Sequence, residues 1–146
     1  MTFGITTELV SFIKQQEGWR SVPYLCAAGF PTVGWGHRIP NLDTAPISKE
    51  TGERLLTSDI AVMRDHVVAL SPSLLAATER RCAAIVDFAF NCGPHRYKAS
   101  TLRKRVEAED WAGAAKEMRR WVYAAGKVFR ALVGRRAVTA GWLEQG

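Results

Sequence analysis

The sequence predicts an α+β domain: a short helix, a small antiparallel sheet, then a larger helical lobe. Three features point there. Breakers crowd one stretch early in the chain, at Gly18, Pro23, Gly29, Pro31, Gly34 and Gly36. From Ser48 onward, apolar residues recur at helical spacing almost to the end. Strand signals and helix signals are therefore segregated rather than alternating, and a cleft between the two lobes is the natural place for a ligand.

Taken in order, Thr6 or Thr7 can cap a first helix through Gln16, with Leu9, Phe12 and Ile13 on its apolar face. Val22 to Cys26 and Thr32 to Trp35 read as strands joined by a turn at Ala28 to Pro31, with the sheet extending to about Ile47. Ser48 caps a helix to about Leu70 that carries Leu55, Leu56, Ile60 and Met63 inward, and Ser71-Pro72 ends it. A second apolar helix, about Leu75 to Cys92, presents Cys82, Ile85, Val86, Ala89 and Phe90 on one face before Gly93-Pro94 stops it. Further helices are expected at Thr101 to Ala108, Asp110 to Ala125 and about Phe129 to Leu143.

The chain has 146 residues, 47% hydrophobic and 23% charged, with five Trp. That suits one domain, 1–146, with a core that needs no disulfide staples, and excludes disorder. Apolar runs are short and interrupted, as by Asp87 within Ala83 to Phe90, so no membrane span is expected. Met1 to Gln16 lacks the basic-then-apolar pattern of a signal peptide, which places the protein in the cytoplasm where it is made. Cys26, Cys82 and Cys92 read as reduced thiols; the last two share a helix at a separation too great for a disulfide. The net charge of +6 suits nucleic acid, an anionic membrane surface or an acidic wall polymer without choosing among them. Nucleic acid ranks last, because no helix-turn-helix or aromatic-basic sheet face is visible.

Chemistry concentrates near the first helix end. Glu17 stands there, and the following strands supply Cys26 and Thr32. A carboxylic acid facing a sheet edge over a cleft is partly desolvated, the condition under which a carboxyl keeps its proton. Such a group suits general-acid cleavage of a glycosidic bond, with the Thr32 hydroxyl and the Cys26 thiol orienting a water. A thiol of ordinary value, about 8.5, is mostly neutral at pH 7. Cys26 is therefore read first as a water positioner or partial thiolate held by basic surroundings, and last as a nucleophile at the anomeric carbon.

The residues Glu17, Gly18, Tyr24, Cys26 and Gly29, with Pro31-Thr32-Val33-Gly34-Trp35-Gly36-His37, resemble the phage-type lysozyme (endolysin) family, glycoside hydrolase family 24. Its triad is Glu, then Asp or Cys, then Thr at this spacing. The likeness continues through Leu55 to Asp59, Ile85 to Gly93, Ser100 to Leu102, Arg120 to Tyr123 and Leu132 to Arg136. It implies a lysozyme-like fold and a muramidase that hydrolyses the β-1,4 bond between N-acetylmuramic acid and N-acetylglucosamine in peptidoglycan, lysing the host. Catalytic roles fall to Glu17, Cys26 and Thr32, with an inverting outcome. The resemblance also pairs His37 with Asp59 as a structural ion pair.

Phe90, Asn91, Ser100 and Trp35 are candidates for contact with substrate; core packing and helix capping are their alternatives. Three His and three Cys show no zinc-ligand spacing, so neither metal nor cofactor is expected. The expected enzyme is a monomer whose basic helices mostly face solvent and aid attraction to the anionic envelope. It waits in the host cytoplasm and reaches the periplasm through a lesion made by a holin. Two other readings remain: a wall amidase or peptidase using Cys26 with His37, and a catalytically silent cationic wall-binding or membrane-disrupting protein.

Overall fold

The computed structural model describes residues 2–146. Helix α1, Thr7–Glu17, begins where the Thr6 hydroxyl accepts the Leu9 amide at 3.0 Å, and it buries Leu9, Phe12 and Ile13. Gly18, at φ 71°, ends it by returning its amide to the Lys14 carbonyl. The helix thus runs one residue further than expected, and Glu17 is its last residue.

Strands β1 (Arg20–Leu25), β2 (Pro31–Gly34) and β3 (His37–Arg38) form an antiparallel sheet in that order. Tyr24 pairs with Thr32, and Thr32 pairs with Arg38. The sheet stops at Arg38 rather than near Ile47. Between Pro40 and Pro46 the chain folds on itself instead, as Asn41 Oδ1 accepts the Asp43 amide and the Asn41 carbonyl accepts the Thr44 hydroxyl. Ile47 then returns its amide to the Ser21 carbonyl at 2.9 Å without forming a strand.

Helix α2, Lys49–Leu70, is capped by Ser48 and turns Leu56, Ile60 and Val67 inward, whereas Leu55 and Met63 are half-buried. Its Gly52 leaves no room for a side chain beside the Trp19 ring, and this contact locks the sheet to the helical lobe. A 3-10 turn, Pro72–Ala76, follows. Helix α3, Glu79–Cys92, starts later than expected because Thr78 takes the Arg81 amide as its cap. Every residue from Cys82 to Ala89 is buried, so α3 is wrapped on all sides.

The short helix α4, Pro94–Lys98, was not anticipated; Gly93 turns the chain at φ 92° and Pro94 opens the new helix. Helix α5 (Thr101–Glu107) is capped by Ser100 and α6 (Trp111–Arg119) by Asp110. The helix expected through Ala125 ends at Arg119. In its place strands β4 (Tyr123–Ala124) and β5 (Lys127–Val128) form a hairpin whose two turn residues, Ala125 and Gly126, both have positive φ, at 52° and 76°. A two-residue turn with that geometry matches the twist of paired strands. Helix α7, Arg130–Gln145, then packs on α6 and α3 and carries Arg135 and Arg136 into the interior. The expectation that the C-terminal arginines mostly face solvent is corrected for these two, which are only 5% and 1% exposed.

Candidate active site

Glu17, Tyr24 and Cys26 line one open hollow of about 380 Å³ beside the sheet, together with Trp19, Arg20 and Leu25. The capping turn at Gly18 and the pairing of β1 with β2 set this arrangement. The Gly36 backbone presses against Glu17 from the other side, where a Cβ at position 36 would lie 2.9 Å from Glu17 Oε2. The glycine is required twice over, since its φ is 76°.

The Glu17 carboxyl has a partner that the sequence reading did not foresee. Arg135 Nη1 donates to Glu17 Oε1 at 3.1 Å. The same guanidinium is held by Asp87, with Nη2 at 2.8 Å from Oδ1 and Nε at 3.1 Å from Oδ2. Asp87 is fully buried. Burial would strip the Arg135 charge, but Asp87 first and Glu17 second hold the guanidinium protonated. The partly desolvated carboxyl expected over the cleft is thus also one end of a three-residue ionic network.

Cys26 follows the end of β1 and is half-buried. Desolvation pushes its thiol up, yet the net direction is down. The backbone amides of Phe30 and Ala28 and the Arg38 charge are among the causes that outweigh it and hold the thiol below its ordinary value. Thr32 is buried in β2, and its hydroxyl donates to the Phe30 carbonyl at 2.8 Å. The Tyr24 phenol is pushed up by burial and then by the Glu17 charge, so it remains a proton-bearing donor beside the acid. The structure therefore brings Glu17 and Cys26 to one hollow, with Thr32 behind the thiol.

A second hollow of about 300 Å³, lined by Gly36, His37, Arg38, Asp59, Val62, Met63 and Phe90, lies between the sheet and the helical lobe. Gly36 borders both hollows, one through its lining and one through Glu17. Here His37 Nδ1 lies 2.8 Å from Asp59 Oδ2, with both side chains part-exposed. Phe90 faces the same space.

The other candidate contacts fare differently. Trp35 is 8% exposed, in the turn after β2, its ring packed at a tilt 4.5 Å from that of Trp19 with Lys14 over its face. Its ring is a lobe-joining core residue, which corrects its assignment to sugar stacking. Ser100 is also corrected: it is buried, donates to the Tyr97 carbonyl and accepts the Arg103 amide, so its hydroxyl is consumed in capping α5. Asn91 is exposed at the end of α3, with its side-chain oxygen bonded to Arg136. A larger hollow of about 730 Å³, between Arg96, Arg119, Arg120 and Tyr123, shares no lining residue with either of the others. Among the described residues no group of three or more His, Cys, Asp or Glu side chains is placed to hold a metal ion.

A small sheet against a helical lobe, with a carboxylic acid at the end of the first helix lining the hollow beside the sheet, is a lysozyme-like arrangement. The phage lysozyme family matches residues 14–139, and the chain belongs to it: it is a phage lysozyme, a glycosidase that hydrolyses peptidoglycan. It is 35% identical over 117 residues to the SAR-endolysin of Escherichia phage Mu, covering 80% of this chain and 67% of that protein. It is 33% identical over 130 residues to the endolysin of Bacillus phage B103, covering 87% of this chain and 49% of that protein, so the chain spans about half that relative's length. The muramidase domain of SpmX from Asticaccaulis excentricus has the same fold, with a TM-score of 0.84 at 26% identity over 97% of this chain and 98% of that one.

Proposed function

We propose that the protein is a muramidase in which Glu17 protonates the leaving oxygen of the β-1,4 bond between N-acetylmuramic acid and N-acetylglucosamine. The observation that carries this reading is the shared hollow of Glu17 and Cys26. A scissile bond laid across it meets a carboxyl on one side and a sulfur on the other. As the glycosidic bond breaks, positive charge develops on the sugar, and the Cys26 sulfur, whose thiol is held below its ordinary value, faces that charge and orients the attacking water. Thr32 holds the loop that carries Cys26 through the Phe30 carbonyl. Attack by water from the Cys26 side gives an inverted product.

Mass spectrometry of digested peptidoglycan tests the bond chemistry. Disaccharide peptides with new reducing muramic acid ends are expected. Anhydro-muramic ends would mean transglycosylation, and free stem peptides would mean amidase action. The amidase reading is disfavoured because His37 faces Asp59 in the second hollow, away from Cys26.

For release to the wall, passage through a holin lesion is one route and membrane-anchored export is the other. The kinship with an SAR-endolysin favours the second. No helix among the described residues is long and apolar enough to cross a membrane. Expression without any holin separates the two routes: lysis supports autonomous export, and accumulation without lysis supports the holin.

A further inference from the structure

Asp87 is the one fully buried carboxylate described above, set in a helix otherwise packed with apolar residues, and the mechanism so far leaves it unused. Burying an ion pair is seldom a net gain over apolar packing. Its geometry shows what else it does. A guanidinium has three hydrogen-bonding directions. Asp87 takes Nε and Nη2, and the remaining Nη1 points at Glu17 Oε1. Oε2, against the Gly36 backbone, is the oxygen left without an Arg135 contact.

We propose that Asp87 is a positioning residue for the general acid: by clamping two sides of Arg135 it aims the third at Glu17 and offsets the positive charge that Glu17 would otherwise face. The inference rests on the reading of Glu17 as the acid. An isolated guanidinium beside a carboxyl holds it ionised and spoils it as a proton donor. A guanidinium already paired with a carboxylate presents a smaller net charge to a second carboxyl while still fixing it through the third hydrogen-bonding direction. Other groups facing the network do not replace this effect. On the Glu17 side these are Tyr24, with Arg20 and Cys26 near the phenol. On the Asp87 side they are Arg136 and Cys92.

The test compares wild type, Asp87→Asn and the double variant Asp87→Asn with Arg135→Met. It reads the carbon-13 titration of the Glu17 carboxyl and the pH dependence of kcat/KM on peptidoglycan fragments. In Asp87→Asn the Glu17 midpoint is expected to fall by roughly one pH unit or more. The alkaline limb of kcat/KM follows it downward, and activity is partly recovered on acidification. In the double variant the limb returns to the wild-type position or above it. Its kcat falls roughly tenfold to a hundredfold at unchanged KM, because the carboxyl has lost its anchor.

A Glu17 midpoint in Asp87→Asn equal to wild type, with only the melting temperature lowered, overturns the proposal. If that variant does not fold, the double variant decides, since removing both charges spares the fold; a wild-type kcat there overturns it equally. Glu17→Gln separates the two layers of inference. Wild-type turnover in that variant removes the acid itself, whereas an inactive Gln variant beside an unmoved Glu17 midpoint removes only the role of Asp87.

Discussion

Two pairs of a nitrogen-bearing side chain with an aspartate, His37 with Asp59 and Arg135 with Asp87, contrast in burial. His37 and Asp59 join the sheet to α2 with side chains 27% and 29% exposed. Arg135 and Asp87 join α7 to α3 at 5% and 0%. A part-exposed pair keeps its water, so breaking it costs little. A buried pair cannot recover water when one member is removed, and the survivor is left as an uncompensated charge. Only the buried pair also touches the candidate acid. The exposed pair braces the sheet against α2, and the proposed role of Glu17 is what ties the buried pair to the chemistry.

The largest effect on stability is expected from Arg135→Met alone, which strands Asp87. Thermal melting should show a loss of about 3–5 kcal/mol, and a melt within a degree of wild type breaks the contrast. Next comes Cys26, on the cleft side of the sheet. Cys26→Ser should lose part of its turnover on purified peptidoglycan, and Cys26→Asp should keep much of it because a carboxylate restores the anion. Full activity in both Cys26→Ser and Cys26→Ala removes the sulfur from the mechanism.

The thiols offer a chemical measure of the same difference between cleft and core. The Cys26 thiol is held below its ordinary value, so its thiolate, and with it the alkylation rate, rises at lower pH than for free cysteine. Cys82, in α3, is pushed up to about 11 by burial and should stay unmodified through the neutral range. Peptide mapping after iodoacetamide treatment reads this directly, and labelling of Cys82 ahead of Cys26 contradicts it. The smallest effect belongs to His37→Asn. It should cost under about 1 kcal/mol with turnover nearly intact, and a collapse of turnover at an unchanged melting temperature shows instead that His37 takes part in the reaction.

How much of this was readable in the chain follows from contact distance. Glu17, Cys26 and Thr32 sit close together in sequence, in a stretch whose glycines and prolines mark tight turns, so their convergence could be inferred locally. The Arg135 contact with Glu17 spans 118 positions and that with Asp87 spans 48, and no local pattern encodes either. One signal was present: an acid inside the apolar run from Ala83 to Phe90, facing a paired arginine motif far downstream. Read only as interruptions and surface charge, they concealed the network.

Elsewhere, local rules misled where tertiary contacts prevailed. The α6 expectation overran because Ala125, an alanine at positive φ, hides a hairpin turn that Asn or Gly would have advertised. Trp35 belonged to a strand by pattern, but the absence of a side chain at Gly52 lets it pack inward against Trp19. Helix caps, by contrast, were legible at Ser48 and, as one of two alternatives with Thr7, at Thr6, because a cap is an interaction complete within the local chain.

The central claim is that Glu17 is the proton donor for glycosidic cleavage, and the most direct measurement is the release of reducing ends from purified peptidoglycan by Glu17→Gln beside wild type. Glutamine keeps the size and can still meet Arg135 through its amide oxygen, so the fold should persist while the proton is lost. The expected result is a fall in turnover of roughly a hundredfold to ten-thousandfold at nearly unchanged substrate binding. Clearance of the wall at the wild-type rate would contradict the account.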